Sequence, residues 1–173
     1  FQKEADMSVD SSLGSSNGGR PLSTVRKYGV PRYRVTLVRE GRALPAAESV
    51  TTSEGASAIL QPLFANLDRE QFLICGLDAK HKLIGINVVS TGSLNLTIVH
   101  PREVFKPLIL MNAGAWLCAH NHPSGDITPS PEDRVLTKRL REAGELFGIT
   151  LLDHLILAEE RYYSFADQGW PGA

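Results

Sequence analysis

Residues 120–133 read His-Asn-His-Pro-Ser-Gly-Asp-Ile-Thr-Pro-Ser-Pro-Glu-Asp, and the short apolar run 115–119 (Ala-Trp-Leu-Cys-Ala) leads straight into them. Such a run reads as a buried central strand, so His120 and His122, two positions apart at its end, project to the same side. Asp133 comes eleven residues after His122, beyond a loop rich in Pro, Gly and Ser that lets the chain turn back towards the strand end. Two histidines and one carboxylate are a common protein ligand set for catalytic zinc, with the fourth tetrahedral position left to water. His120, His122 and Asp133 are therefore the candidate metal ligands, for one zinc per chain. Neutral imidazole is the binding form, so affinity should fall as the histidines protonate. Cys118 is in register with His120 on an ideal strand, but the set is complete without it and it reads as a core cysteine.

The spacing His-x-His, seven residues, then Ser-x-x-Asp, carried by His120, His122, Ser130 and Asp133, resembles the JAMM (JAB/MPN+) metallopeptidase signature. The longer string HNHPSGDITPSPED, flanked by VHPREVFKPLILMNAGAWLCAH and LTKRLREAGELFGITLLDHLIL, is similar to the RadC-like branch of that superfamily, from about Leu67 onward. The resemblance implies a JAB/MPN-like (cytidine-deaminase-like) domain: a curved mixed sheet flanked by helices, with the metal at one end. It implies amide hydrolysis through a metal-activated water, on a peptide or protein substrate that in some relatives is ubiquitin-like. It also gives two catalytic residues, Glu70 as the upstream general base and Ser130 as a hydrogen-bond donor to the oxyanion, a contribution of about 3 kcal/mol. Read locally, Glu70 is a solvated residue at a strand edge, and Glu54, Glu103 and Glu132 stay open as rival carboxylates. Ser130-Pro131-Glu132-Asp133 is equally a capped helix start.

The chain has 173 residues, 42% of them hydrophobic, which suits one domain. A net charge of −1 gives no general pull towards phosphate backbones or anionic membranes. Cys75 and Cys118 both lie in apolar runs, as cysteines of a reducing compartment do, and the reading is cytoplasmic. The most apolar run, 108–119, is shorter than the ~20 residues a membrane span needs, and nothing reads as a signal peptide. Residues 1–20, rich in Ser, Gly and Asn, read as a flexible tail whose first residues look like an expression remnant. Residues 21–66 read as an N-terminal extension packed on the core, and 67–173 as the catalytic domain. RadC-like proteins commonly carry an upstream helix-hairpin-helix module, for which 21–66 has no room, and this weakens a DNA-binding expectation.

Alternation over 33–39 (Tyr-Arg-Val-Thr-Leu-Val-Arg) predicts a half-buried strand, and a helical pattern runs from Thr52 to about Asn66 with a break at Pro62. Strands follow at 71–78 and 82–90 as a hairpin, then at 94–99. A helix with Pro101 at its first position runs to Asn112, kinked at Pro107 and capped by Gly114, with His100 as a flanking polar group. The helix opened by Ser130 carries a core stripe of Leu136, Leu140, Ala143 and Phe147 and ends at Gly148. Its Arg134, Lys138, Arg139 and Arg141 read as a solvated face. Residues 149–157 form a buried strand whose Asp153 and His154 must find partners near or beneath the metal site. A last short strand covers 162–165, and Trp170 packs on the core surface. The pattern is α+β, mixed and three-layered. The alternative function is a DNA-repair-associated nucleic-acid-binding protein or metal-dependent nuclease. The consecutive His-Asn-His differs from the dispersed residues of HNH nucleases. A third reading, a metal-free scaffold, is disfavoured by the intact ligand set.

Overall fold

The structure, a computed structural model, describes residues 30–41, 49–92 and 99–172. The chain divides into two compact units, Phe1–Arg34 and Val35–Ala173. The tail expected over 1–20 and most of the strand expected over 94–99 lie outside the described residues. The strand expected over 33–39 is corrected: these residues lie in no strand or helix, and Tyr33, Val35 and Val38 are exposed. Alternation reports only that a segment suits a pleated surface; a strand also needs a neighbour to bond to.

The second unit carries α1 (Ser53–Leu60), a 3-10 turn (Gln61–Leu63), β1 (Gln71–Leu77), β2 (Leu83–Thr91), α2 (Pro101–Leu110), β3 (Ala115–Asn121), α3 (Pro131–Phe147), β4 (Thr150–Ala158), β5 (Arg161–Ser164) and α4 (Phe165–Gln168). The strands form one mixed sheet in the order β2-β1-β3-β4-β5, with β3 central. Only the β3–β4 pair is parallel, α3 providing the crossover that a parallel pair requires. Every residue of β3 is buried, because helices cover both faces of the sheet.

Period-two alternation sorts the side chains into two cores. Phe72, Ile74, Trp116, Cys118 and Leu151 meet Val104, Phe105 and Leu108 of α2 and Leu136 and Leu140 of α3. On the opposite face Leu73, Cys75, Leu117, Ala119 and Leu155 meet Ala56 and Leu60 of α1. α1 begins where the Thr52 hydroxyl accepts the Gly55 N–H at 3.0 Å, and Pro62 sits in the 3-10 turn that ends it. α2 runs on through Pro107, and its end is taken by Asn112 at φ +55° rather than by Gly114. Asn is one of the few residues other than Gly that tolerate this left-handed conformation. Phe147, expected in the core stripe of α3, is 55% exposed and leans on Phe105 with ring centroids 4.9 Å apart. Trp170 packs against the α2/α3 core and under the Arg141 guanidinium, 4.9 Å from its ring.

One irregularity decides which residues reach the functional end. Along β3–β4 the pairing steps from Trp116↔Leu151 to Leu117↔Asp153, so Leu152 is an extra residue in β4. A one-residue slip exchanges the two faces. Ile149 and Leu151 therefore face α3, Asp153 turns to the α1 side, and His154 joins the α3 side. The expectation that both members of Asp153-His154 lie by the metal is corrected for Asp153. Its carboxylate accepts hydrogen bonds from Ser164 Oγ at 2.7 Å and Ala166 N at 3.0 Å, which fixes the start of α4. It also accepts its neighbour's N–H, from His154, at 2.7 Å.

Burial raises the Asp153 carboxyl above its ordinary pKa, only partly countered by the Ser164, Ala166 and His154 donors. A carboxyl raised on folding holds its proton more tightly in the native state, so stability falls as pH rises from the ordinary value through the raised one. Asn keeps the acceptor and loses the charge. Asp153→Asn should therefore match or exceed wild-type stability at neutral pH, by up to about 1 kcal/mol, and this difference should shrink on acidification. Asp153→Ala should lose about 2 kcal/mol or more by orphaning buried donors. Urea unfolding at two pH values checks both; an Asn variant clearly weaker than wild type at neutral pH would refute the argument.

Candidate metal centre

The site lies at the carboxyl ends of the parallel pair β3–β4, where ligands gather in open mixed sheets. His120 is the last inward-facing residue of β3. His122 follows one step beyond, where its N–H still bonds the Leu157 carbonyl of β4 at 3.0 Å. Asp133 stands in the first turn of α3, positioned by a capping box. The Ser130 hydroxyl accepts the Asp133 N–H at 3.1 Å, and Asp133 Oδ2 accepts the Ser130 N–H at 2.8 Å. The helix start read in the sequence and the candidate ligand thus coincide in one residue.

The three candidate ligands converge. His120 Nε2 lies 3.1 Å from His122 Nε2 and 3.3 Å from Asp133 Oδ1, and His122 Nε2 lies 3.6 Å from Asp133 Oδ2. One potential ligand atom from each lies within 4.8 Å of the others, so the group can hold a metal ion. His120 is fully buried and Asp133 nearly so, whereas His122 is half-buried and forms the solvent side. Burial alone would raise the Asp133 carboxyl, but, as long as the imidazoles are protonated, hydrogen bonds from His120 and His122 and the charge of His120, together with the Ser130 hydroxyl, hold it far below the usual carboxylate range. His122 is raised, first by its hydrogen bond to Asp133, then by the Asp126 carbonyl and the charges of Asp133 and Glu70, against a lowering by burial.

Each imidazole is oriented through its second nitrogen. His122 Nδ1 donates to the Asp126 carbonyl at 2.5 Å, inside the turn that Gly125 makes at φ +81°. The Arg161 guanidinium braces this turn through the Gly125 carbonyl at 2.5 Å. His120 Nδ1 lies 2.8 Å from His154 Nε2, and His154 Nδ1 lies 2.6 Å from Thr137 Oγ1. His154 is the expected neighbour of the site. Thr137 went unread, its one sequence signal being its place one helical turn after Asp133.

Glu70 precedes β1. Phe72 pairs with His120 across the antiparallel β1–β3 ladder, so Glu70, two residues earlier, comes level with His122, two residues later. Its negative charge is felt at His122. Asn121, the residue between the two histidines, holds this alignment. Its side-chain oxygen accepts the Gln71 N–H at 2.8 Å and its amide donates to the Arg69 carbonyl at 3.1 Å, so it grips the residues on either side of Glu70. The rival carboxylates lie elsewhere: Glu54 in the first turn of α1, Glu103 paired with Lys106 at 2.6 Å, and Glu132 exposed on α3. His100 caps α2 by accepting the Arg102 N–H at 3.1 Å. Burial pushes the Cys118 thiol well up, and it sits in the α2/α3 core. The Ser130 hydroxyl donates to Asp133 Oδ2 at 2.7 Å, so it is directed at a candidate ligand.

Residues 50–170 match the family profile of the RadC-like JAB domain. The chain belongs to the RadC-like JAB family. A UPF0758 protein of Desulfitobacterium hafniense is 48% identical over 172 residues, covering 91% of this chain and 76% of its own. One from Desulforamulus reducens is 43% identical over 159 residues, 91% of this chain and 68% of its own. One from Caldanaerobacter subterraneus is 47% identical over 122 residues, 70% of this chain and 52% of its own. The chain spans about half the length of the last of these. The relatives' name assigns no reaction. The RadC-like match takes in α1 as well as the sheet, and the five-stranded mixed sheet flanked by helices is the fold expected of a JAB domain. Among the described residues no helix is long and apolar enough to cross a membrane.

Proposed function

We propose that this RadC-like domain is a zinc-dependent peptidase or isopeptidase. The observation that carries the reading is the convergence of two imidazole nitrogens, 3.1 Å apart, on one carboxylate, with Asp133 Oδ1 3.3 Å from His120 Nε2 and Oδ2 3.6 Å from His122 Nε2. Tetrahedral zinc with bonds of about 2.0–2.2 Å spaces its ligands by about 3.3–3.6 Å, so the donor set suits that ion in number and chemistry and its separations are of that order. When bound, zinc supplies Lewis acidity that polarises a carbonyl and makes water nucleophilic near neutral pH.

The protein residues supply the rest. Glu70, level with His122, takes the proton from the attacking water and passes it to the leaving amine. Ser130 keeps Asp133 aimed and reaches an oxyanion only by exchanging Asp133 Oδ2 for it. A groove of about 290 Å³ opens beside His122 among Phe64, Asn66, Asn121, Ser124 and Leu157, and its mixed lining suits a polypeptide segment. The substrate is accordingly a peptide or a protein, a ubiquitin-like modifier among them. The two cysteines are buried and unpaired, which suits the reducing cytoplasm.

The test is turnover of peptide and isopeptide substrates by the zinc-loaded protein beside Glu70→Gln. The variant should keep its zinc, measured by mass spectrometry, and lose about 10²- to 10⁴-fold in rate. Equal rates in the two proteins would remove Glu70 from the mechanism, and a wild type that takes up no zinc would remove the whole reading. Zinc affinity should also fall with acidification. His122 must shed its proton to bind, and its pKa is raised from 6.5, so weakening should begin while the pH is still above 6.5. A competition titration across pH checks the onset.

A further inference from the structure

We infer that Thr137 and His154, which touch no metal, set the protonation pattern that presents His120 Nε2 as a ligand; the inference rests on the metal reading above. The direction of every hydrogen bond in this chain follows from one backbone group. Thr137 lies in α3 four residues after Asp133, and its hydroxyl sits 2.6 Å from the Asp133 carbonyl. A carbonyl cannot donate, so the hydroxyl proton points at it. Thr137 Oγ1 then has only lone pairs to offer His154, whose Nδ1, at 2.6 Å, must carry the proton. Neutral His154 holds one proton, so its Nε2 is bare and accepts from His120 Nδ1 at 2.8 Å. His120, once neutral, in turn has its proton on Nδ1 and a lone pair on Nε2, the atom that faces His122 and Asp133.

The environment keeps His154 neutral and in place. It is fully buried, stacked on Phe165 with ring centroids 5.1 Å apart and edge-on to Phe72 at 5.6 Å. The chain also closes on itself, since it starts at the carbonyl of one ligand residue, Asp133, and ends at the ring of another, His120. Oriented partners of this kind fix the ring and raise ligand basicity, and losing one typically costs about 10- to 100-fold in metal affinity. If Thr137 lost its hydroxyl, His154 would have a buried N–H without an acceptor. It would relieve this by moving its proton to Nε2, which would force His120 to accept at Nδ1 and carry its own proton on Nε2. His120 would then present N–H where a lone pair is needed.

The experiment uses the full chain with Thr137→Val, which keeps the shape, and Thr137→Ser, which keeps the hydroxyl. Two readouts are taken: zinc affinity by chelator competition, and the His120 tautomer in the metal-free protein at mildly alkaline pH, from long-range proton–nitrogen NMR correlations. Wild type and Thr137→Ser should show the proton on Nδ1 and bind zinc alike. Thr137→Val should move the proton to Nε2 and weaken zinc binding about 10- to 100-fold. Should the Val variant not fold, His154→Phe, whose ring suits the space between Phe72 and Phe165, removes the same acceptor and should give the same two changes. An unchanged tautomer overturns the inference even if affinity falls, because packing would then explain the loss. A moved proton with unchanged affinity overturns it as well. Failure of the wild type to bind zinc would sink the metal reading separately, while the tautomer would still decide the direction of the chain.

Discussion

Adding zinc to the metal-free protein should raise its melting temperature by on the order of 10 °C, and Asp133→Ala should abolish that rise. A ligand that binds only the folded state stabilises it by RT ln(1 + [L]/Kd), about 4 kcal/mol at a thousandfold excess over Kd. For a domain of this size each kcal/mol moves the midpoint by a few degrees. The quantity to read is the change on adding zinc, because Asp133 also accepts the Ser130 N–H and hydroxyl in the cap of α3. Truncating it should cost about 1 kcal/mol even without metal. Asp133 is the only anionic member of the set, and both imidazoles approach it. Without it two neutral donors remain and the closed geometry is lost. A wild type whose midpoint ignores zinc, or a variant that responds equally, would defeat the prediction.

Gly144→Ala should be the most damaging small substitution in the fold, at about 3 kcal/mol. A glycine inside a helix costs about 1 kcal/mol relative to alanine, so propensity alone favours the change. Space opposes it. A Cβ at Gly144 would stand 2.6 Å from the Ile149 carbonyl oxygen and 3.4 Å from the Trp116 indole nitrogen. That carbonyl cannot give way, because it accepts the Trp116 N–H at 3.2 Å while the Ile149 N–H bonds Gly144 O at 3.0 Å. Overpacking against fixed backbone costs roughly 1–3 kcal/mol and sometimes more, so the steric effect outweighs the propensity gain. Gly148→Ala is the control: its Cβ would meet nothing within 4 Å, and only its left-handed φ of +66° resists, at about 1–2 kcal/mol. Chemical denaturation of both variants decides it; Gly144→Ala no worse than Gly148→Ala would refute the steric account.

The convergence of His120, His122 and Asp133 was legible because its information is local. His120 and His122 share a strand end, and Asp133 follows in a helix start that its own residues specify, so no long-range pairing had to be known. The central position of β3 and the two-sided burial of the sheet were legible from unbroken apolar runs. What escaped depended on partners far along the chain. Glu70 comes level with His122 only through the β1–β3 register, and sequence left it among four carboxylates. Thr137 looks like any threonine in a helix until His154 arrives against it. Residues 33–39 carry a strand pattern with no strand beside them. Asp153 and His154 read as a pair, but alternation puts them on opposite faces, and which of them takes the α3 side is set by a bulge that no residue type announces.

The extra residue at Leu152 bears on how this domain tolerates genetic change. Leu152 is only half-buried, and many residues of similar size could stand there. Deleting it would close the bulge with Leu117↔Asp153 and Cys118↔His154 still paired, so both side chains would keep their faces. Regular pairing with Leu152 kept would instead set Asp153 opposite Cys118 and turn His154 to the far face, putting a carboxylate where the imidazole stands. Loss of this one codon should therefore be far milder than loss of a codon further along β4, beyond which every side chain would change face, so that the bulge is a point where the chain can shorten without disturbing the site.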